Sequence, residues 1–178
     1  MTTWVTADLH FDHANILKYN PDTRPFVDAS DMNEKMVRQW NEIVNYDDLT
    51  YILGDVAFCN ATKAAALMNR LNGKKILIQG NHDFKLVKES VFTDCFEEIH
   101  MYHEMVFEKT KVCMFHYPIL DHNQAGHGSV MLHGHRHGNP HGLPGRIMDV
   151  GMDATGNIVS NLSEVIKTLL KKSMQGHH

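Results

Sequence analysis

The residues of this 178-residue chain that could do chemistry stand just after short apolar runs. Trp4 to Ala7 leads into Asp8-Leu9-His10, and Tyr51 to Leu53 leads into Gly54-Asp55. Ile76 to Ile78 leads, one residue on, into Gly80-Asn81-His82-Asp83. Val112 to Phe115 is followed directly by His116, and Val130 to Leu132 runs into His133-Gly134-His135-Arg136-His137. Asp, Asn and His offer hard oxygen and borderline nitrogen donors, with no cysteine among them. That set suits Mn, Fe, Zn, Ni or Co better than a thiolate-held structural zinc. In a strand leaving a sheet, i and i+2 point to one side, so Asp8 with His10, and His135 with His137, can each aim two donors at one place. The glycines before Asp55, Asn81 and His135 fit turns where the backbone bends sharply close to a ligand.

Each piece has an ordinary explanation when taken alone. A lone Asp-x-His is common, Gly-Asp after a strand is usually a turn, and Asn-His-Asp can be turn chemistry in which Asn and Asp bond their own backbone. A single His116 is more often a core histidine whose hydrogen bonds are satisfied. What the ordinary explanations do not cover is the order: five apolar runs, each ending in a carboxylate, an amide or an imidazole. Open sheets bind ligands at such ends, because strands fix the height of the side chains and loops leave room.

The elements that must position these residues can be read from periodicity. Met32, Met36, Val37, Trp40, Ile43 and Val44 recur at helical spacing behind an Asp31…Glu34 capping box. Ala64, Leu67, Met68 and Leu71 form a second stripe, closed by Gly73. Leu162, Val165, Ile166, Leu169 and Leu170 form a third, opened by Asn161 with Glu164 three residues on. The apolar runs, together with Ile147 to Val150, read as strands. Alternation through Ile99, Met101, His103, Met105 and Phe107 before Glu108-Lys109-Thr110 suggests one long strand forming a hairpin into Val112–Phe115. Strands alternate with helices early and cluster late, so the predicted class is α/β shading into α+β, with mixed sheets.

Residues 1–174 read as one domain, with 175–178 an appended tail. Hydrophobic residues make up 43% and charged residues 21%, which excludes a disordered or fibrous chain. No apolar run reaches the roughly 18 residues of a spanning helix, and Met1-Thr2-Thr3 does not open a signal peptide. Net charge is −4, so no basic surface holds polyanions in general. Cys59, Cys95 and Cys113 are odd in number and form no C-x-x-C pair, as expected of reduced thiols in a cytoplasmic protein. Histidine is the surplus: fourteen in all, with seven between His116 and His141.

The ordered set D-x-H, G-D, G-N-H-D, H, G-H-x-H across residues 8 to 137 resembles the calcineurin-like metallophosphoesterase superfamily. Asp8-Leu9-His10-Phe11-Asp12-His13-Ala14-Asn15-Ile16, Arg24-Pro25-Phe26, Trp40-Asn41, His116-Tyr117-Pro118 and Val150-Gly151-Met152-Asp153 are similar to a small, capless bacterial and bacteriophage branch of it. The resemblance implies a two-sheet β-sandwich flanked by helices, without a cap domain, and two divalent metal ions at the strand ends. Asp8, His10, Asp55 and His137 would hold the first ion, and Asp55, Asn81, His116 and His135 the second, with Asp55 bridging. His82 would face the leaving-group oxygen of the substrate. Mn²⁺ is the expected metal, with Fe, Zn, Ni or Co as alternatives. Two divalent cations outweigh the two carboxylates, so a phosphate is drawn to this one spot, and a hydroxide shared by the metals would be the nucleophile.

The chain departs from the serine/threonine protein phosphatases of that superfamily. Gly54-Asp55 continues into Val56-Ala57-Phe58-Cys59 rather than a second Asp and an Arg, and Asn81-His82 continues into Asp83-Phe84-Lys85. His82 would then be oriented by Asp83 or a backbone carbonyl, and phosphate contacts would fall to Arg24, Arg136, His13 or Asn15. The plain alternative for Arg24 is a surface turn residue beside Pro25, for Trp40 a core position, and for Asp153 a brace on the loop after Ile147–Val150. The loops Tyr117–Ser129 and Gly138–Arg146 are short, so the expected site is open and shallow. That favours a phosphodiesterase acting on a nucleotide or nucleic-acid end over a phosphomonoesterase, with no membrane and no obligate protein partner. A scaffold with a decayed metal site is the reading of another class, and the complete ligand set argues against it.

Overall fold

A computed structural model describes residues 1–174; the expected tail at 175–178 lies outside the described residues. Among the described residues, nine strands build two mixed sheets. The first holds β1 (Thr3–Thr6), β2 (Leu49–Ile52), β3 (Lys74–Ile78) and β4 (Glu98–His100), all parallel in the order β4-β3-β2-β1. The second holds β5 (Tyr102–Phe107), β6 (Thr110–Phe115), β7 (Val130–His133) and β8 (Ile147–Asp149), with β5 antiparallel and the rest parallel. β9 (Ser160–Asn161) returns antiparallel beside β1.

Alternation along the strands sets what each face meets. Val5, Ala7, Tyr51, Leu53, Ile76 and Ile78 from the first sheet pack with Val112, Met114, Val130 and Leu132 from the second, forming the buried filling of the sandwich. Their neighbours Ile52 and Leu77 face the other way, toward helices α2 (Ala29–Ile43) and α3 (Ala61–Met68), where Met32, Met36, Trp40, Ala64 and Met68 cover them. Trp40 is therefore core. Each such side chain contributes about 1.5–3 kcal/mol by leaving water. On the outer face of the second sheet, Cys113, Met131 and Ile147 are covered by Ile119 and Leu143 from loops. The short helices α1 (Ile16–Tyr19), α4 (Ser90–Thr93) and α5 (Met152–Thr155) fill connections, and α6 (Leu162–Leu170) adds Leu162, Val165, Ile166 and Leu169 to the sandwich filling.

Three local expectations need correction. The cap of α2 is Asp28, which accepts from the Asp31 amide at 2.8 Å, while Asp31 accepts from Val27 N at 3.0 Å. The box thus lies three residues earlier than Asp31…Glu34, and Glu34 instead meets Arg70. α3 ends at Met68, so Gly73 does not close it. With φ +82 it turns the chain into β3, where a Cβ would meet Asp48 O at 2.9 Å. The alternating run from Ile99 to Phe107 is two strands, because residues 98–100 pair with β3 in the first sheet and the chain crosses to the second at Met101. Alternation reports one solvated face and does not say which sheet supplies the partner.

Candidate metal centre

All five expected exits leave the carboxyl ends of parallel strands: β1 delivers Asp8, β2 Asp55, β3 Asn81, β6 His116, and β7 His135 and His137. The first two exits run side by side past their strands, with Asp8 N on Gly54 O at 3.0 Å and His10 N on Asp55 O at 3.0 Å. Asp8, His10, Asp55, His135 and His137 all have positive φ, between 48 and 68°. The paired donors therefore come from tight left-handed turns rather than from a continued pleat, as the i, i+2 reading supposed. Asp and His tolerate that region better than most residues, yet each such position costs on the order of 1–3 kcal/mol. Glycine makes the close approach possible: a Cβ on Gly80 would strike Asp55 Oδ1, and one on Gly134 would meet Ala7 Cβ at 2.5 Å and Asp8 Oδ2 at 2.7 Å.

Two groups of donors result. Asp8, His10 and His137 bring one ligand atom each within 4.8 Å of one another, and Asp55, His116 and His135 do the same. Asp55 Oδ2 lies between them, 3.7 Å from His10 Nε2 and 3.5 Å from His116 Nε2. Asn81 Oδ1 is 3.0 Å from His116 Nε2, so all seven expected ligands meet in one place.

The surroundings fit cations. Asp8 Oδ1 and His10 Nε2 are buried with no hydrogen-bond partner, which is costly unless something positive lies between them. Burial pushes the Asp8 carboxyl up to about 7 and the His10 imidazole down to about 2. Burial also opposes charge on Asp55 and His116, but each holds the other ionised. His116 and the His82 amide keep Asp55 at about 2, and Asp55 lifts His116 to about 9. Three imidazoles have Nδ1 tied to the protein, leaving Nε2 to face the centre: His116 to Leu53 O at 2.7 Å, His137 to Asp153 at 2.7 Å and His10 to His13 at 3.0 Å. Fixing one ring nitrogen in this way sets the tautomer of a ligating histidine.

The family model of the calcineurin-like phosphoesterases matches residues 1–163. The chain belongs to this family. This calcineurin-like phosphoesterase is 33% identical over 138 residues to an uncharacterised protein of Methanocaldococcus jannaschii, covering 76% of the chain and 69% of the relative. It is 28% identical over 191 residues to the gene 66 protein of Mycobacterium phage L5, covering 89% of each. Its fold is similar to that of a protein of unknown function from Aquifex aeolicus, with a TM-score of 0.73, 21% identity and coverage of 94% and 98%.

In this phosphoesterase the residues expected around the ligands separate into those at the centre and those behind it. His82 is at the centre: its amide donates to Asp55 Oδ1 at 2.9 Å, and its half-exposed ring brings Nε2 to 3.9 Å from Asp55 Oδ2. Asp83 does not orient that ring. Its carboxylate accepts from the amides of Asp55, Val56 and Gly80, clamping two ligand loops together. His13 stacks on Phe58, with centroids 3.7 Å apart and planes 8° apart. Asn15 is exposed at the head of α1.

Arg24 is not a substrate contact, nor a surface turn residue. Only 1% exposed, it donates to Asp153 and to the carbonyls of Asp8 and Leu9. Arg136 donates to Pro140 O at 2.9 Å. Asp153 does brace the segment after β8, anchoring it to Arg24 and to the metal centre. Besides Arg24 and His137 Nδ1 it accepts from Thr23, and its carboxyl lies well below the usual range because these donors outweigh burial. The sequence motifs Arg24-Pro25-Phe26 and Val150-Gly151-Met152-Asp153 carried this pair, but nothing local said that the two meet. Among the described residues, no helix is long and apolar enough to cross a membrane.

Proposed function

We propose that this chain is a phosphodiesterase with a two-metal centre, acting on nucleotides or nucleic-acid ends. The observation that carries this reading is the pair of donor groups at the ends of five strands, with Asp55 of one group 3.7 Å from His10 of the other. Asp8, His10, His137 and Asp55 would hold one divalent ion, and Asp55, Asn81, His116 and His135 the other, with Mn²⁺ the metal we expect in this mixed oxygen and nitrogen set and Fe, Zn, Ni or Co as substitutes. When bound, such ions activate water and polarise phosphoryl oxygens. His82 reaches the same carboxylate without belonging to either donor group, so it is free to give a proton to the departing oxygen. A net charge of −4 speaks against tracking along a duplex. With Cys59, Cys95 and Cys113 all unpaired, we place the protein in the cytoplasm, acting as one domain without an obligate protein partner.

The test is a substrate panel on Mn²⁺-loaded protein. Bis(4-nitrophenyl) phosphate and a dinucleotide should turn over well, and 4-nitrophenyl phosphate slowly. The reverse order would make it a phosphomonoesterase, and no turnover with any divalent metal would favour a binding scaffold. His82→Ala should keep both ions and lose little on the nitrophenyl diester, whose leaving group needs no proton. On the dinucleotide it should lose about 10²–10⁴-fold. Equal losses on both substrates would make His82 a stabiliser of phosphoryl oxygens instead.

A further inference from the structure

Two clefts open beside the metal centre, one on each side of a ridge made by Phe58 and His82, whose rings lie 4.4 Å apart. One, of about 430 Å³, is reached past His10 and His137 and continues along Tyr19, Asn20 and Asn139. The other, of about 370 Å³, begins at Asn81 and runs along Phe84 and Lys85. Both sizes fall among small-molecule sites. Each thus starts from ligands of a different donor group, so a phosphoryl group held over Asp55 would have one cleft on either hand.

Their chemistry differs. The first cleft has no Lys, Arg, Asp or Glu in its lining; it offers aromatic faces and amides, with the Tyr19 ring 69% exposed. The second holds Lys85, exposed and in no ion pair among the described residues, and Lys88 Nζ lies 4.0 Å from the centroid of its Phe84 ring. One cation in the lining of this cleft and a second over its Phe84 ring are a local reversal in a chain of net charge −4.

We infer that the clefts receive the two ester arms of a diester, the first stacking a neutral nucleoside and the second taking an arm that carries a further phosphate. This rests on the phosphodiesterase reading and sharpens it: the substrate is an oligonucleotide end rather than an isolated diester. A monoester has one arm and leaves one cleft unused. Stacking on Tyr19 tolerates any base, as every base has a π-face, and the Asn20 and Asn139 side chains, whose Nδ2 groups are held by Asp153 and Arg136 O, can turn their oxygens to donors on a base edge.

The experiment compares the deoxydinucleotide dTpdT with the same compound carrying a terminal phosphate at its 5′ or its 3′ end, alongside bis(4-nitrophenyl) phosphate, on the Mn²⁺-loaded protein. One phosphorylated isomer should show a KM about 3–5-fold lower than bare dTpdT at equal kcat, the size expected of an exposed charge pair. Lys85→Ala should erase that difference and leave bare dTpdT and the nitrophenyl diester unchanged. Tyr19→Ala should raise KM for every dinucleotide by about tenfold and keep the phosphate effect. Turnover of both diesters with no phosphate effect, or a Lys85→Ala loss equal on bare and phosphorylated dinucleotide, overturns the assignment of the clefts while the phosphodiesterase reading stands. Hydrolysis of monoesters alone overturns both.

Discussion

The two donor groups of this phosphoesterase are held in opposite ways. Asp8, His10 and His137 are braced by charge: Arg24 donates to the carbonyls of Asp8 and Leu9 and pairs with Asp153, which in turn fixes His137. Asp55 and His116 are braced mainly through backbone groups, while the His135 amide donates across to Asp8 Oδ2 at 2.8 Å. Leu53 O holds His116 Nδ1, and the Asp83 carboxylate gathers the amides of Asp55, Val56 and Gly80. The first brace links segments more than a hundred residues apart through one buried ion pair, whereas the second ties neighbouring strand ends. A centre built this way should come apart one half at a time.

The strongest break is expected at Arg24→Ala. Removing one partner of a buried pair leaves the Asp153 charge to Asn20, Thr23 and His137 alone, a loss of about 3 kcal/mol in a urea titration. Metal titration should then show the first ion bound some 10–100-fold more weakly, with the second little changed. Asp83→Ala is the mirror case. Three buried amides lose their acceptor, which costs about 2–4 kcal/mol, and the second ion should now weaken most, the first less and only through the shared Asp55. If both ions weaken equally in both variants, the two halves are not independent and the contrast fails.

A smaller effect calibrates these two, because it lies outside the centre. Asp48 is buried under β1, accepting from Thr2 N, Asn45 N and Trp4 Nε1. Burial alone would raise its pKa, but these donors hold it at about 2, below the ordinary 3.8. A depressed carboxylate contributes stability that is fully present above about pH 4 and is lost as pH falls through about 2. Asp48→Asn should therefore cost roughly 1–2 kcal/mol at neutral pH and flatten the acid limb of the stability curve, with no change in either metal affinity. An unchanged acid limb would remove Asp48 from that role.

The centre was more legible than its supports. Asp8, His10, Asp55, Asn81, His116, His135 and His137 stood out because each follows an apolar run, and runs become strands whose ends meet. The means of their meeting could not be read: alternation suggests a pleat, while Asp8, His10, His135 and His137 sit in left-handed turns, and the amides of Asp8, His10 and His135 bond to groups far away in the chain. Arg24 read as a substrate contact because a cation beside a phosphate site has two uses, and only the fold shows which carboxylate it reaches. The same holds for Met101, where the chain changes sheets although the alternation continues through it.

The shared carboxylate is the claim on which the account turns, and counting metal per folded chain in Asp55→Ala tests it most directly. Dialysed against Mn²⁺ and measured side by side, the wild type should retain two ions and the variant essentially none, because both donor groups lose the oxygen that lies between them. Two ions still bound to folded Asp55→Ala would contradict the bridging role and, with it, the two-metal centre described here.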